Sequence, residues 1–326
     1  MQADTIDQTG EKRYEAMPLY VRIGLNLLYV GHLKEKLLET GILDKILEHE
    51  TIRQGRYFDS PKSVKQIPSF IKTYNIPTDE MLTPDIASFG TFNEFFYRRL
   101  KPDALANVHT TCAMADPAPQ QHTVVSSSDC RLIVFPTVDE ATKFWIKGRH
   151  FTLGNLLQDD ELAQRFAGAS LAIFRLAPQD YHRFHAPITA RCTGCRSIPG
   201  KYYTVNPLAV NTSIDVLTEN ARAVLTFTTV PDDSATDKLS KPYDFILVPV
   251  GAMLVGSIRL TGGQPGVQTR KGDELGYFAF GGSTVVAVFP PGGSMRFDED
   301  LLRNSASGLE TLVRMGESIG VLASDG

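Results

Sequence analysis

What this chain has little of narrows the reading before any motif is considered. It holds four cysteines, Cys112, Cys130, Cys192 and Cys195, in 326 residues. That is too few to staple a chain of this length, so reduced thiols and an intracellular setting are expected. Positive charge is not in excess. The formal net charge of −4 supplies no basic field, and no nucleic-acid partner is expected. No stretch approaches the ~20 consecutive apolar residues that span a bilayer. The longest candidate near the start, Leu19 to Leu33, is interrupted by Arg22, Asn26 and His32. Residues 1–16 are polar and mixed in charge, unlike a signal or transit peptide. There is no internal repeat, no Walker loop, no dinucleotide fingerprint and no Gly-x-Ser-x-Gly elbow.

What is present is ordinary globular material, 42% hydrophobic and 21% charged. From Met17 to about Leu100 the apolar residues recur at helical spacing, with Leu19, Ile23, Leu27, Leu33, Leu37 and Leu38 in series. Short helices are expected at Ile42 to His49 and Pro61 to Tyr74. Thr91-Phe92-Asn93-Glu94 is a Thr-x-x-Glu capping box that opens a helix running into Phe95–Leu100. The aromatic cluster at 89–97 is most simply core packing, with a membrane-facing or lipid-facing role as the alternative. Residues 103–122 lose all periodicity.

Beyond them the texture turns to short β-rich runs: Arg131–Phe135, Leu171–Leu176, Ala223–Val230, and a longer stretch from Phe245 to Leu260 broken at Gly251 and Gly256. Leu153 to Arg165 and Asp298 to Ser305 look helical. The fold expected is α+β: an N-terminal helical region (1–104), a linker (105–122), and a β-rich catalytic domain of short strands (123–326).

Several residues stand out chemically. His182 and His185 share Asp180-Tyr181-His182-Arg183-Phe184-His185-Ala186-Pro187, as an acid–base pair or as two metal ligands. A third ligand is not evident nearby, so no metal is expected. Asp129 stands at the entry to a strand in Ser126-Ser127-Ser128-Asp129, where a turn aspartate bonding its own backbone is the plain alternative. Cys192-x-x-Cys195 lacks the second ligand pair of a zinc site and the surroundings of a redox motif. An apolar run ending at Phe278-Ala279-Phe280 breaks at Gly281-Gly282, presents Ser283, and resumes as a strand. The serine hydroxyl at such a break is expected to be exposed. Gly-Gly-Ser alone is also an everyday turn.

Asp129 before a strand, DYHRFHAP at 180–187 and GGST at 281–284, in this order, resemble the signatures of phosphatidylserine decarboxylases. The segments FGTFNEFFYRRLKP (89–102), IKGRHFTLGNLL (146–157), GKYYTVNPLAV (200–210), VGAMLVGSI (250–258) and ETLVRMGESIG (310–320) fit the same family. The texture is most similar to the fungal and other eukaryotic type II branch.

The resemblance implies a pyruvoyl-dependent decarboxylase that cuts itself between Gly282 and Ser283 into a large and a small subunit. Ser283 attacks the Gly282 carbonyl, His185 is its base, and Asp129 orients His185, as in a Ser-His-Asp triad. Ser283 becomes the covalent pyruvoyl group, whose ketone condenses with a substrate amine and draws electrons as CO₂ leaves; neither pyridoxal phosphate nor a metal is then needed. His182 returns a proton to the substrate. The implied reaction converts phosphatidylserine to phosphatidylethanolamine. The alternative is a soluble relative acting on a free, for example aromatic, amino acid. The resemblance places the enzyme in the cytoplasm or peripherally on an endomembrane, and leaves peripheral membrane contact and a homodimer open.

Overall fold

The computed structural model describes residues 4–6, 12–14, 49, 52–101, 122–144, 151–201, 216–230, 239, 241–251, 258–279 and 283–322. The expected helix at Leu19–Leu33, nearly all of the expected linker, Cys112 and the glycines Gly281 and Gly282 lie outside these residues.

The strands, in chain order, are β1 (Asp4–Ile6), β2 (Lys12–Tyr14), β3 (Thr123–Val125), β4 (Cys130–Phe135), β5 (Ala169–Leu176), β6 (Arg183–His185), β7 (Ala190–Ile198) and β8 (Arg222–Thr229). There follow β9 (Asp244–Gly251), β10 (Ile258–Leu260), β11 (Gln268–Thr269), β12 (Glu274–Phe278), β13 (Ser283–Pro291), β14 (Met295–Phe297), β15 (Glu310–Val313) and β16 (Ser318–Leu322). Ten of them form one sheet in the order β11-β7-β8-β9-β13-β5-β4-β15-β1-β2. All its pairings are antiparallel except β1 with β15. Two three-stranded sheets, β10-β12-β6 and β14-β16-β3, complete the described β structure. With its helices, this is the α+β class expected.

The central strand β13 explains its own sequence. Val285, Ala287 and Phe289 pack into one core with Phe174, Leu176, Phe227 and Phe245. The alternate residues Val286 and Val288 pack into a second core on the other face with Leu171, Ile173, Ile246 and Val248. A strand covered on both faces needs a continuous apolar run, and Val285 to Phe289 supply one. By the two-residue alternation of a strand, Ser283 belongs to the face of Val285.

Among the described residues, helical structure lies between β2 and β3, with local differences from the helices expected. Pro61–Gln66 is a 3₁₀ turn that passes into α1 (Ile67–Tyr74), which ends at Asn75 in the left-handed conformation. The predicted cap at Thr91 forms: Thr91 Oγ1 accepts from the Glu94 N–H (3.1 Å) and Glu94 Oε2 accepts from the Gly90 N–H (2.6 Å). The helix it opens, α2 (Phe92–Phe96), stops at Tyr97 instead of reaching Leu100. Phe92, Phe95 and Phe96 are buried with Phe58, Ile67, Ile76 and Met81 in a third core.

Leu153–Arg165 is two helices rather than one. Gln158 takes a left-handed conformation and Asp159 caps the second helix by accepting from the Leu162 N–H. Residues 4–6 and 12–14, placed by sequence in the helical region, instead extend the main sheet at one edge.

Candidate active site

The site forms where β5 ends. After Leu176 the chain turns through Ala177–Asp180, pinned when Asp180 Oδ2 accepts from the Ala177 N–H (2.7 Å) and Asp180 N–H donates to the Ala177 carbonyl (2.9 Å). Asp180 also pairs with Arg131 of β4, both side chains being largely buried. This is why an aspartate opens the DYHRFHAP segment. The centre of the segment is the short strand β6, paired with β12.

Within that frame His182 is wholly buried. Its Nε2 lies 3.0 Å from the Ala177 carbonyl, which can only accept, so Nε2 carries the proton and Nδ1 is left as an acceptor. Nδ1 is 3.2 Å from Ser283 Oγ. The Ser283 hydroxyl therefore donates to a neutral imidazole. Burial, with the Arg98 charge second, lowers the His182 pKa to about 3, so the ring stays neutral at physiological pH and Nδ1 keeps its lone pair for the Ser283 hydroxyl. The Phe96 ring stacks on the imidazole at 3.9 Å between centroids.

Ser283 is the first described residue of β13 and is fully buried, not exposed as the sequence suggested. Its backbone lies between two partners, Leu176 of β5 and Gly251 of β9. The hydroxyl is thus presented by a rigid strand edge rather than a free turn.

His185 is differently engaged. Its Nδ1 donates to the Gly272 carbonyl (2.8 Å), and its Nε2 accepts from the Tyr181 hydroxyl (3.1 Å). Its backbone N–H donates to the Ser127 carbonyl (2.8 Å), tying it to the loop that carries Asp129. Burial lowers its pKa too, partly offset by the Gly272 bond. Asp129 Oδ1 accepts from the Met315 N–H (2.8 Å), and burial pushes its carboxyl up to about 6. Ser283, His182, His185 and Asp129 all lie at one end of the sheet. The imidazole in contact with Ser283 is His182, whereas the sequence reading gave that place to His185.

Sequence reasoning missed the residues that frame these groups. Arg183 donates to the Tyr97 carbonyl (2.9 Å) and to Glu274 Oε1 (2.7 Å), and lies over the Tyr277 ring. Arg98 donates to the Gln179 carbonyl (3.2 Å). Both arginines stand in conspicuous segments, Arg98 in FFYRRLKP and Arg183 in DYHRFHAP, but neither segment states what they touch. Cys192 is buried on β7, donating Sγ–H to the Gly263 carbonyl (2.9 Å), while Cys195 is exposed. Among the described residues, no group of three or more His, Cys, Asp or Glu side chains is gathered as a metal site.

A family model described as phosphatidylserine decarboxylase matches residues 92–321. The chain is 45% identical over 313 residues to phosphatidylserine decarboxylase proenzyme 3 of Schizosaccharomyces pombe, covering 96% of this chain and 30% of that protein. Against proenzyme 2 of Oryza sativa the identity is 43% over 303 residues, 92% of this chain and 45% of that one. A Chlamydia trachomatis phosphatidylserine decarboxylase proenzyme is 39% identical over 272 residues, 83% of this chain and 80% of the bacterial protein. The chain thus spans less than half the length of these fungal and plant relatives and most of the length of the bacterial one.

Proposed function

Because the chain belongs to the phosphatidylserine decarboxylase family, we propose that it is a carboxy-lyase that cuts itself between Gly282 and Ser283 and converts phosphatidylserine to phosphatidylethanolamine and CO₂. The observation that carries this reading is the buried Ser283 hydroxyl donating to the neutral Nδ1 of His182. A serine hydroxyl is a weak nucleophile until a base takes its proton. Here the base is in contact, locked in the right tautomer and kept unprotonated by burial.

In the cutting reaction Ser283 Oγ adds to the Gly282 carbonyl. The C–N bond between 282 and 283 breaks and an ester replaces it. Loss of the Ser283 α-proton then expels the Gly282 carboxylate and leaves a dehydroalanine, which water converts to a pyruvoyl group with release of ammonia. The surroundings of position 283 fit that group. The backbone is clamped between two strands, the position is buried, and the side chain meets a neutral imidazole. The group supplies a ketone beside an amide carbonyl, an electron sink for decarboxylation.

Of the chain's own residues, His182 Nδ1 is the atom placed to take the Ser283 proton and, after cutting, to return a proton at the same position. Phe96 and the Ala177 carbonyl hold its plane. His185 engages the Gly272 carbonyl and the Tyr181 hydroxyl, and Asp129 the Met315 N–H. The sequence-based assignment of His185 as base oriented by Asp129 is the competing division of labour, and substitution of each histidine in turn separates the two.

Intact mass under denaturing conditions tests the proposal. Two species that split between Gly282 and Ser283, the smaller with a blocked N-terminus, and CO₂ release from phosphatidylserine in liposomes are expected. A single species of the full 35.9 kDa chain that never cuts under native conditions overturns it.

A further inference from the structure

Gly251, the last residue of β9, lies between Ser283 on one side and Ala221, just before β8, on the other. Its N–H donates to the Ala221 carbonyl (2.9 Å). The N–H and C=O of one strand residue point to the same side, so Gly251 turns both away from Ser283, and the two residues form a close, non-hydrogen-bonded pair. A regular antiparallel ladder would return a bond from the Ala221 N–H to the Gly251 carbonyl. That N–H donates instead to the Lys201 carbonyl (3.0 Å). A side chain supplies the missing rung: Asn220 Nδ2 donates to the Gly251 carbonyl (2.8 Å). The carbonyl can only accept, so the Asn220 amide faces it with its nitrogen.

Asn220 is fully buried and its backbone is gripped from several sides. Its N–H closes the short helix Val216–Glu219 on the Val216 carbonyl (3.2 Å), and its own carbonyl accepts from Arg222 Nη1 (2.8 Å). The Lys201 N–H donates to the Glu219 carbonyl (2.8 Å). The two stretches pass so close that a Cβ on Gly200 would lie 2.5 Å from the backbone carbon of Asn220. Only glycine opens the GKYYTVNPLAV segment without pushing Asn220 out of place.

The direction of the Gly251 carbonyl bears on the bond before Ser283. The C=O and N–H of one trans peptide point opposite ways. With its negative end held by Asn220, the peptide that closes β9 turns its positive end towards β13, whose first residue is Ser283. When Ser283 Oγ adds to the Gly282 carbonyl and its proton passes to His182 Nδ1, negative charge develops on that carbonyl oxygen. A dipole fixed in advance with its positive end towards this strand stabilises the charge without reorganising. Were the Asn220 bond removed, the last peptide of β9 could turn over and present its negative end instead.

We infer that Asn220 is a positioning residue for cutting: it fixes the last peptide of β9 so that the positive end faces the oxyanion formed when Ser283 attacks. This role rests on the reading that the bond between Gly282 and Ser283 is cut.

The test follows cutting of the full chain by intact mass after cell-free synthesis, for the wild type, Asn220→Leu and Asn220→Ala. Leucine fills a similar volume without an N–H donor, and Asn220→Ala carries the test if Asn220→Leu fails to fold. Each variant should cut at least about tenfold more slowly than the wild type. Turnover of phosphatidylserine per pyruvoyl-bearing chain, measured once cutting is complete, should fall by less than about threefold, because the Gly282 carbonyl no longer reacts. Variants that cut as fast as a wild type that itself cuts overturn the role of Asn220 and leave the proposed function standing. A like loss in cutting and in turnover also overturns it, since that marks a general loosening around residue 283. A wild type that never cuts overturns the proposed function, and the role of Asn220 with it.

Discussion

The ring of Phe96 lies nearly parallel to the imidazole of His182, 26° from coplanar and 3.9 Å away between centroids. Phe96 belongs to the helical core that also buries Phe92 and Phe95, so that core forms one wall of the candidate active site. Replacing Phe96 by Leu should destabilise the fold by roughly 1–3 kcal/mol through lost packing. It should also slow cutting at 283 about tenfold or more, because a loosened ring spends less time aligned with Ser283 Oγ. The check is the processing half-life measured where the variant is fully folded by circular dichroism. An unchanged half-life would show that the stack has no part in positioning.

The two histidines give opposite expectations in one experiment. His182→Ala removes the acceptor for the Ser283 proton and should leave the chain uncut, with a rate at least ~10²-fold down, the usual scale of general base catalysis. His185→Ala removes a partner of Tyr181 and Gly272 and should slow cutting less. Gel densitometry over time decides. A chain that cuts normally as His182→Ala and not at all as His185→Ala would reverse the assignment and restore His185 as base.

Acid should act on the fold through His182. Its folded pKa of about 3 lies below the ordinary 6.5, so the unfolded chain binds the proton more readily. The neutral ring's contribution is complete above pH 6.5 and is lost as pH falls towards 3, a cost on the order of 2 kcal/mol by pH 5. Asp129 works in the opposite sense. Its folded carboxyl, pushed up to about 6, favours the folded state below the ordinary 3.8, and this is lost as pH rises through 6. The two oppose each other between pH 4 and 6. The stability gap between wild type and His182→Gln, read from urea midpoints, should shrink from pH 7 to pH 5. A constant gap would contradict the assignment.

Arg175 of β5 and Glu310 of β15 form a buried bidentate pair, Nε to Oε1 at 2.9 Å and Nη2 to Oε2 at 2.5 Å. Glu310→Ala leaves a buried cation without this partner and should cost roughly 3–5 kcal/mol. Replacing both residues by Met and Leu should recover much of that loss. Equal destabilisation in the single and double variants would mean that packing, not charge, dominates.

Much of this architecture was legible because local chemistry and fold agreed. The Thr91 cap follows from its capping box, the strands at 131–135 and 171–176 from short β-rich runs buried throughout, and the strand at 223–230 from two-residue alternation. The break at Gln158 was not legible, since nothing in Leu153–Arg165 forbids one continuous helix. Asp4–Ile6 and Lys12–Tyr14 are short polar runs whose strand character comes from pairing alone.

At the site, the resemblance named the stretches of chain that meet but gave the imidazole facing Ser283 to His185, where the structure has His182. A separation of three joins side chains on a helix and divides them on an extended segment. His182 and His185 flank an extended segment, so they diverge. The one turns to Ser283 and the other to Gly272 and Tyr181.

The register of β13 has a consequence for the two pieces that cutting would produce. The small piece, beginning at Ser283, supplies the strand between β9 and β5, together with β14, β15 and β16. It is therefore no appendage: each fragment lacks the middle of a sheet that the other completes. Before cutting, folding is a unimolecular event. Afterwards it is the association of two chains, and the processed protein should regain structure from denaturant at a rate that depends on its concentration.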